Sequence, residues 1–564
     1  MKYIHHSVLR RAEWFFKLIT MTKITRLIFI VSLLFQAIYL KAQESNFFEV
    51  AKQLEIYTSV FKELNMYYVD ELNPAELNEI ALKNMLNRLD PYTNYFDEQG
   101  IEDVRIQRSG EYGGIGSGTR FKDKRLYITE VYKDAPAAKA GLLAGDEIIQ
   151  IDDVMVKDYE EASISSLLRG LPDTKVKLKI LRQGVEMNFE VGRSKIDMNS
   201  VPFYGMVDAE VGYISFIKFT EKCGMDVKNA FADLKGKGMK KLILDVRGNP
   251  GGLLNEAVNI TNFFIPKDKV VVTTKAKVKK WSNTIKTRNE PLDLEIPIVV
   301  LIDGRSASAS EIVSGSLQDY DRAVILGERS YGKGLVQRYR DLPYGTQMKL
   351  TISKYYTPSG RCIQELDYTN RDKEGNVPKF SDGKVNQFKT ANGRTVTDGG
   401  GVLPDVILEK PETLPLTKIL FTSDAFFNFV SAYYFTHTEI KPAAEFQLEE
   451  QVYDELITYL KTHIDEFETS ADKQFETAMK QAEKDGLGTD LEADFQNFKH
   501  AVALKKIEKL QINKVEIKER LTEEIVRRYY YREGEYQQKM AFDPVIVQAA
   551  QLLNDTKKYE KILK

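Results

Sequence analysis

Between about residue 200 and residue 410, short apolar runs alternate with amphipathic stretches, and this limits the possible folds more than any other feature of the chain. Strand-like segments fall at Val211 to Phe216, Lys241 to Val246, Pro297 to Ile302 and Ala323 to Leu326. Helical spacing falls at Asp226 to Leu234 and Leu254 to Phe264. Strands separated by helices predict an α/β core. The chain has 564 residues, and at roughly 150 residues per domain it holds about three to four domains. With 43% apolar and 29% charged residues, it is not a disordered or fibrous chain.

The flanking regions read differently. Apolar residues recur at helical spacing from Phe48 to Leu64 and again from Leu77 to Leu89, divided at Asn73-Pro74, and Asp90-Pro91-Tyr92 ends the second run. Residues 108–195 have a glycine-rich turn at Tyr112 to Gly116, a strand-like Leu126 to Val131 and an alternating Val176, Leu178, Ile180, which predict a compact β-rich module. Residues 365–398, rich in Asn, Asp, Gly and Lys, read as a surface insertion, and the chain beyond Pro415 as charged helix with heptad-like spacing.

At the amino terminus, Lys23 and Arg26 precede an uncharged run from Leu27 to Leu40 that ends at Lys41-Ala42-Gln43. This is the pattern of a signal peptide, with Met21 the expected start and cleavage expected near Ala42. Retention as an anchor is the alternative, but the run is short of the roughly 20 apolar residues of a membrane span. No cysteine follows it to accept a lipid. Loss of residues 1–43 would leave a net charge of −8, so the exported chain is expected to be mildly acidic.

Charge and composition exclude further classes. Lys plus Arg total 80 against 82 Asp plus Glu, which gives no broad basic surface for nucleic acid. Cys223 and Cys362 allow one disulfide at most, and neither has a metal-ligand neighbour at short spacing. No metal or organic cofactor is implied. Histidine is absent between His6 and His437, so chemistry in that stretch must work without the usual general base of serine and cysteine hydrolases.

Three features at strand-to-loop junctions can carry such chemistry. Leu242 to Val246 runs into Arg247-Gly248-Asn249-Pro250-Gly251-Gly252, whose backbone amides can bind an oxyanion or simply form a turn. Ile302-Asp303-Gly304 leads into Arg305-Ser306-Ala307-Ser308-Ala309-Ser310-Glu311, where a serine near a helix amino terminus is either a nucleophile or a helix cap; capping is the favoured reading for Ser310. Gly332-Lys333-Gly334 offers a lysine, either in a solvated turn or, if desolvated, as a base. An ordinary lysine pKa of about 10.4 would have to fall by roughly 3 units to act near neutrality.

Taken together with Asp90-Pro91-Tyr92-Thr93, Ala140-Gly141-Leu142 through Gly145-Asp146, Gln337, Tyr355-Tyr356-Thr357-Pro358-Ser359-Gly360-Arg361 and Pro404-Asp405, these segments resemble the carboxyl-terminal processing, or tail-specific, serine proteases over about residues 50–410. The resemblance implies Ser308 as nucleophile, Lys333 as its general base and Gln337 as the residue orienting the lysine. It implies an oxyanion hole from Ala309 and from Gly251 or Gly252. The 108–195 module resembles a PDZ domain, whose Gly114-Ile115-Gly116 turn would bind a peptide carboxylate while the adjacent strand pairs with the peptide.

The expected architecture is a multidomain α/β protein: a helical amino-terminal unit (44–107), an inserted PDZ domain (108–195), a ClpP/crotonase-like protease core (196–411) and a helical carboxyl-terminal domain (412–564). The expected activity is that of an exported, periplasmic or envelope-associated endopeptidase, acting on proteins with accessible carboxyl termini. The helical tail is expected to pack against the rest or to bind a partner protein. Two rivals are an inactive PDZ scaffold and an acyl-thioester enzyme of crotonase type, which would use the same amide-lined pocket without a serine nucleophile.

Overall fold

The computed structural model describes residues 47–564 apart from Glu160, Lys384 and 409–412. The signal-peptide segment expected at 1–43 lies outside the described residues. Residues 47–88 belong to a unit of their own. It consists of a helix over 47–67 and a second from Pro74–Asn87. Asn73 caps the second helix, its side chain accepting from Ala75 and Glu76 N–H, and Pro74 occupies the first turn, where no N–H is needed. Phe48, Leu54 and Tyr57 of the first helix are exposed.

The remaining chain is built around a six-stranded sheet. Its order is Phe203–Met206, Val211–Ser215, Lys241–Asp245, Ile298–Ile302, Val324–Gly327 and Val406–Ile407. All pairings are parallel except the first. Continuous apolar runs such as Leu242-Ile243-Leu244 arise because both faces of a parallel sheet are covered. Leu242, Leu244 and Val300 face helices Cys223–Gly236, Leu254–Asn262 and Ala309–Asp319 in one core. Ile243, Val299 and Leu301 face a second core.

That second core is closed from the far end of the chain. Val545, Ile546, Ala549 and Leu553 of helix Pro544–Asn554 and Tyr559 of helix Thr556–Leu563 pack on the sheet. The Tyr559 hydroxyl also accepts from Ile298 N–H at 2.9 Å. Part of the helical tail is thereby a layer of the α/β core, a pairing of distant parts of the chain that local spacing does not encode.

A separate antiparallel sheet lies beside this core. Its long strand Gln347–Tyr356 pairs with Asn94–Phe96, Leu335–Asp341 and Val270–Ala276. The β-rich module has strand order Ser117–Lys122, Arg125–Val131, Glu147–Ile151, Lys175–Arg182 and Val185–Gly192. Ile128, Ile148, Val176, Leu178 and Ile180 form its core, and Ser117–Lys122 is an edge strand, a natural template for an added strand.

Helices between Pro415 and Phe542 form a fourth core. This helical region grips the β-rich module: Asp424 pairs with Arg120 and Lys122, Arg532 with Glu130 and Lys133 with Glu533. The 365–398 segment carries the hairpin Gln387–Lys389 with Thr395–Thr397 and is tied to the core by Arg394, which pairs with Asp321 and Asp405. Cys223 and Cys362 are both free thiols.

Ile546 is fully buried under the sheet. Ile546→Ala is expected to lower unfolding free energy by about 2–5 kcal/mol through the cavity it leaves. Urea denaturation should show an earlier midpoint in the core transition.

Candidate active site

The loop Arg247 to Gly252 and the segment Asp303 to Ser310 leave adjacent parallel strands at their carboxyl ends. Asn249, fully buried, ties them together. Its side-chain oxygen accepts from Gly251 N–H, and its backbone oxygen accepts from Ala307 N–H and from the Ser310 hydroxyl. The two segments come so close that a Cβ built on Gly251 would lie 2.8 Å from Ala309 N and 2.9 Å from Ser308 Cβ. With a φ of +91° as well, Gly251 admits no side chain.

The three serines of the segment have different surroundings. Ser306 is buried, with its hydroxyl on the Val246 carbonyl, and Ser310 is buried, with its hydroxyl on Asn249. The capping reading of Ser310 is therefore corrected: its hydroxyl bonds a neighbouring loop, and Ser308 occupies the N-cap position of helix Ala309–Asp319. Ser308 is partly exposed and has φ +55° and ψ −109°, a backbone conformation that is costly for a side-chain-bearing residue and clusters at functional sites. The N–H groups of Ala309 and Gly252 make no hydrogen bond among the described residues, whereas that of Gly251 is taken by Asn249. Free amides beside a serine at a helix amino terminus can stabilise an oxyanion.

Lys333 lies in the loop leading to strand Leu335–Asp341. Burial, reinforced by the nearby Lys349 charge and opposed by Glu311 and Asp90, lowers its pKa to about 8. Its Nζ lies 4.2 Å from the centre of the Tyr92 ring. That contact favours the ammonium form but also keeps water off one side of it. The Tyr92 hydroxyl is 3.4 Å from that of Tyr331, and its ring meets Tyr368 edge-on. No hydrogen bond joins Ser308 Oγ to Lys333 Nζ in this arrangement.

Gln337 makes no hydrogen bond to Lys333 either. Its amide donates to Thr351 Oγ1 at 3.2 Å, and Thr351 donates to Asp90 Oδ1. Asp90 also accepts from Tyr92 and Thr93 N–H and the Thr93 hydroxyl. The Asp90 to Thr93 segment thus reaches the lysine from a distant part of the sequence, which no local spacing revealed.

Glu311 received no role from its place in the motif. It is fully buried and accepts from Ser308 N–H (2.7 Å), Lys333 N–H (2.9 Å), Gly332 N–H (2.6 Å) and the Ser330 hydroxyl (2.6 Å). Burial raises its pKa to about 6 against the pull of those donors.

In the β-rich module, Gly116 has φ +75°, and a Cβ there would lie 2.3 Å from Ala135 Cβ. The carbonyls of Ile115 and Gly116 accept from Ala137 and Tyr132, and Gly114 is bridged to Arg169. With Gly114 they sit at the start of the edge strand, as a carboxylate-binding turn requires.

Residues 210–370 match the description "Peptidase family S41", residues 127–182 "PDZ domain", and residues 416–553 "Probable PDZ-protease, C-terminal helical domain". A carboxy-terminal-processing protease of Bartonella bacilliformis is 37% identical over 326 residues, covering 56% of this chain and 74% of that protein. A probable CtpA-like serine protease of Staphylococcus haemolyticus is 35% identical over 308 residues, covering 54% and 61%. Among solved structures, the photosystem II D1 C-terminal processing protease aligns at 25% identity and a TM-score of 0.35, over 63% of this chain and 87% of that one. A serine peptidase domain, a PDZ domain and relatives named for carboxyl-terminal processing, one of them matched over most of its length, leave one assignment: the chain belongs to the S41 family of carboxy-terminal-processing serine proteases.

Proposed function

We propose that this S41 peptidase is an exported endopeptidase that works through a Ser308/Lys333 dyad on proteins captured by their carboxyl ends in the PDZ domain. The observation that carries the reading is the meeting of a partly exposed, backbone-strained serine, unpaired amides and a desolvated lysine on loops joined through one buried carboxylate. Export follows the signal-peptide pattern. Among the described residues, no helix is long and apolar enough to cross a membrane. The domain limits of this reading are 44–107, 108–195, 196–411 and 412–564, with helices beyond Pro544 also serving the core sheet.

In the proposed reaction, neutral Lys333 swings from the Tyr92 ring to Ser308 and takes the hydroxyl proton as Oγ attacks the scissile carbonyl. The oxyanion accepts from Ala309 N–H and from the Gly251-Gly252 pair, where the Gly252 amide is the unpaired one. Lys333 then protonates the leaving amine, an ester to Ser308 remains, and water activated by Lys333 hydrolyses it. Gln337 acts on the lysine indirectly, by fixing Thr351 and through it Asp90. The scaffold and acyl-thioester rivals have no use for a strained serine and a desolvated lysine tied to one carboxylate.

Ser308→Ala is expected to abolish cleavage of a protein substrate and covalent labelling by a fluorophosphonate. Labelling that survives the change would remove Ser308 from its role. Because the neutral amine is the active form, the labelling rate should rise with pH and level off above about 8. At pH 7 about a tenth of the enzyme then carries a neutral base. Gly116→Val should weaken binding of a peptide with a free carboxyl end while leaving fluorophosphonate labelling of Ser308 in place, measured by fluorescence anisotropy.

A further inference from the structure

We infer that Glu311 is a positioning residue for the reaction, its ionised carboxylate holding the loops of the nucleophile and the general base in register. The inference deepens the Ser308/Lys333 reading and rests on it. One oxygen, Oε2, accepts from the backbone N–H of both Ser308 and Lys333. The other, Oε1, accepts from Gly332 N–H and the Ser330 hydroxyl. All four donors belong to the nucleophile's residue or to the loop carrying the base, and among the described residues no basic side chain pairs with the carboxylate. Glu311 thus spends its acceptor capacity on the two loops that must meet.

This arrangement explains how a lysine resting on an aromatic ring can serve a serine it does not touch. The backbones at both ends are fixed to a common atom, so only the lysine side chain has to turn. Ser308 is held in its strained conformation in part by the same bond, since its N–H is one of the four donors.

The carboxylate must be ionised to accept from all four donors. A protonated carboxyl would turn one lone pair into an O–H facing N–H groups. The titratable groups coupled to it are Lys333, on the neighbouring loop, and Tyr355, whose hydroxyl donates to the Ser308 carbonyl. Tyr355 is buried and raised well above its ordinary range, so it stays neutral. Asp90 and Lys349 act on Lys333 as well, the first raising and the second lowering its pKa. With Glu311 near 6 and Lys333 near 8, the logarithm of the labelling rate should climb with a slope near two below the lower value. Between the two values the slope should be about one.

Protonation of Glu311 does not by itself unfold the chain at the lower break. The folded-state value of Glu311 lies above the usual carboxylate value, so the folded chain binds this proton more tightly than the unfolded chain. Its contribution to stability therefore grows as pH falls through 6 and declines as pH rises.

The test is the rate of fluorophosphonate labelling of Ser308 against pH, in the full chain. Glu311→Gln keeps the size but presents an amide NH2 to N–H donors. It should slow labelling at pH 8 by at least about 100-fold, the scale of a misplaced reacting group, and abolish the lower break, with an unchanged circular dichroism spectrum. A rate within threefold of wild type (roughly the noise of such context-dependent effects), or retention of the lower break, would overturn the inference. Should Glu311→Gln not fold, Ser330→Ala removes one donor and should move the lower break upward; a break that stays in place counts against it. Lys333→Ala separates the two readings. Undiminished labelling there refutes the dyad itself, whereas a dead Lys333→Ala beside an unaffected Glu311→Gln refutes the role of Glu311 alone.

Discussion

Loss of water around one amine is the constraint on which the site depends. A lysine keeps its proton in water, and here burial brings its pKa to about 8. The protein reaches that state with parts drawn from far-apart stretches of chain. Tyr92 comes from just before the β-rich module and Lys349 from the long antiparallel strand, while the amine stands on the loop between core and sheet. The second sheet therefore does more than extend the core: it walls the base.

The sequence made the chemistry legible where it is local. Strands and helices of the core fall within three residues of their expected places, because apolar runs between glycine-rich turns have few other solutions. Helix Pro74–Asn87 starts where Asn73 and Pro74 mark it, whereas helix Ala309–Asp319 is capped at Ser308 and not at the expected Ser310. Spacing could not rank the three serines, because burial and hydroxyl partners separate them, and those depend on Asn249 and Val246 on a neighbouring loop and strand.

What stayed hidden was long-range. Asp90, Tyr92 and Thr351 act near Lys333 through tertiary contacts that no local pattern encodes. Glu311 stood in plain view inside the motif, but its significance lies in four donors reaching it from two loops. Gln337 was expected on the lysine and is found on Thr351 instead. The apolar residues of helix Pro544–Asn554 are plain in the sequence, but the distant sheet that they cover is not. The same tail touches the catalytic half at Arg247, which bridges Asp245 and Asp543 at the foot of the oxyanion loop.

The cover over the central sheet has a consequence for biogenesis. Ile298 is bonded to Tyr559, 261 positions along the chain, so that face of the sheet has no cover until the helices around Tyr559 have been made. Contacts of such separation slow folding, and an uncovered apolar sheet face is prone to association with other chains. The sheet therefore stays open to such association until helices Pro544–Asn554 and Thr556–Leu563 dock on it.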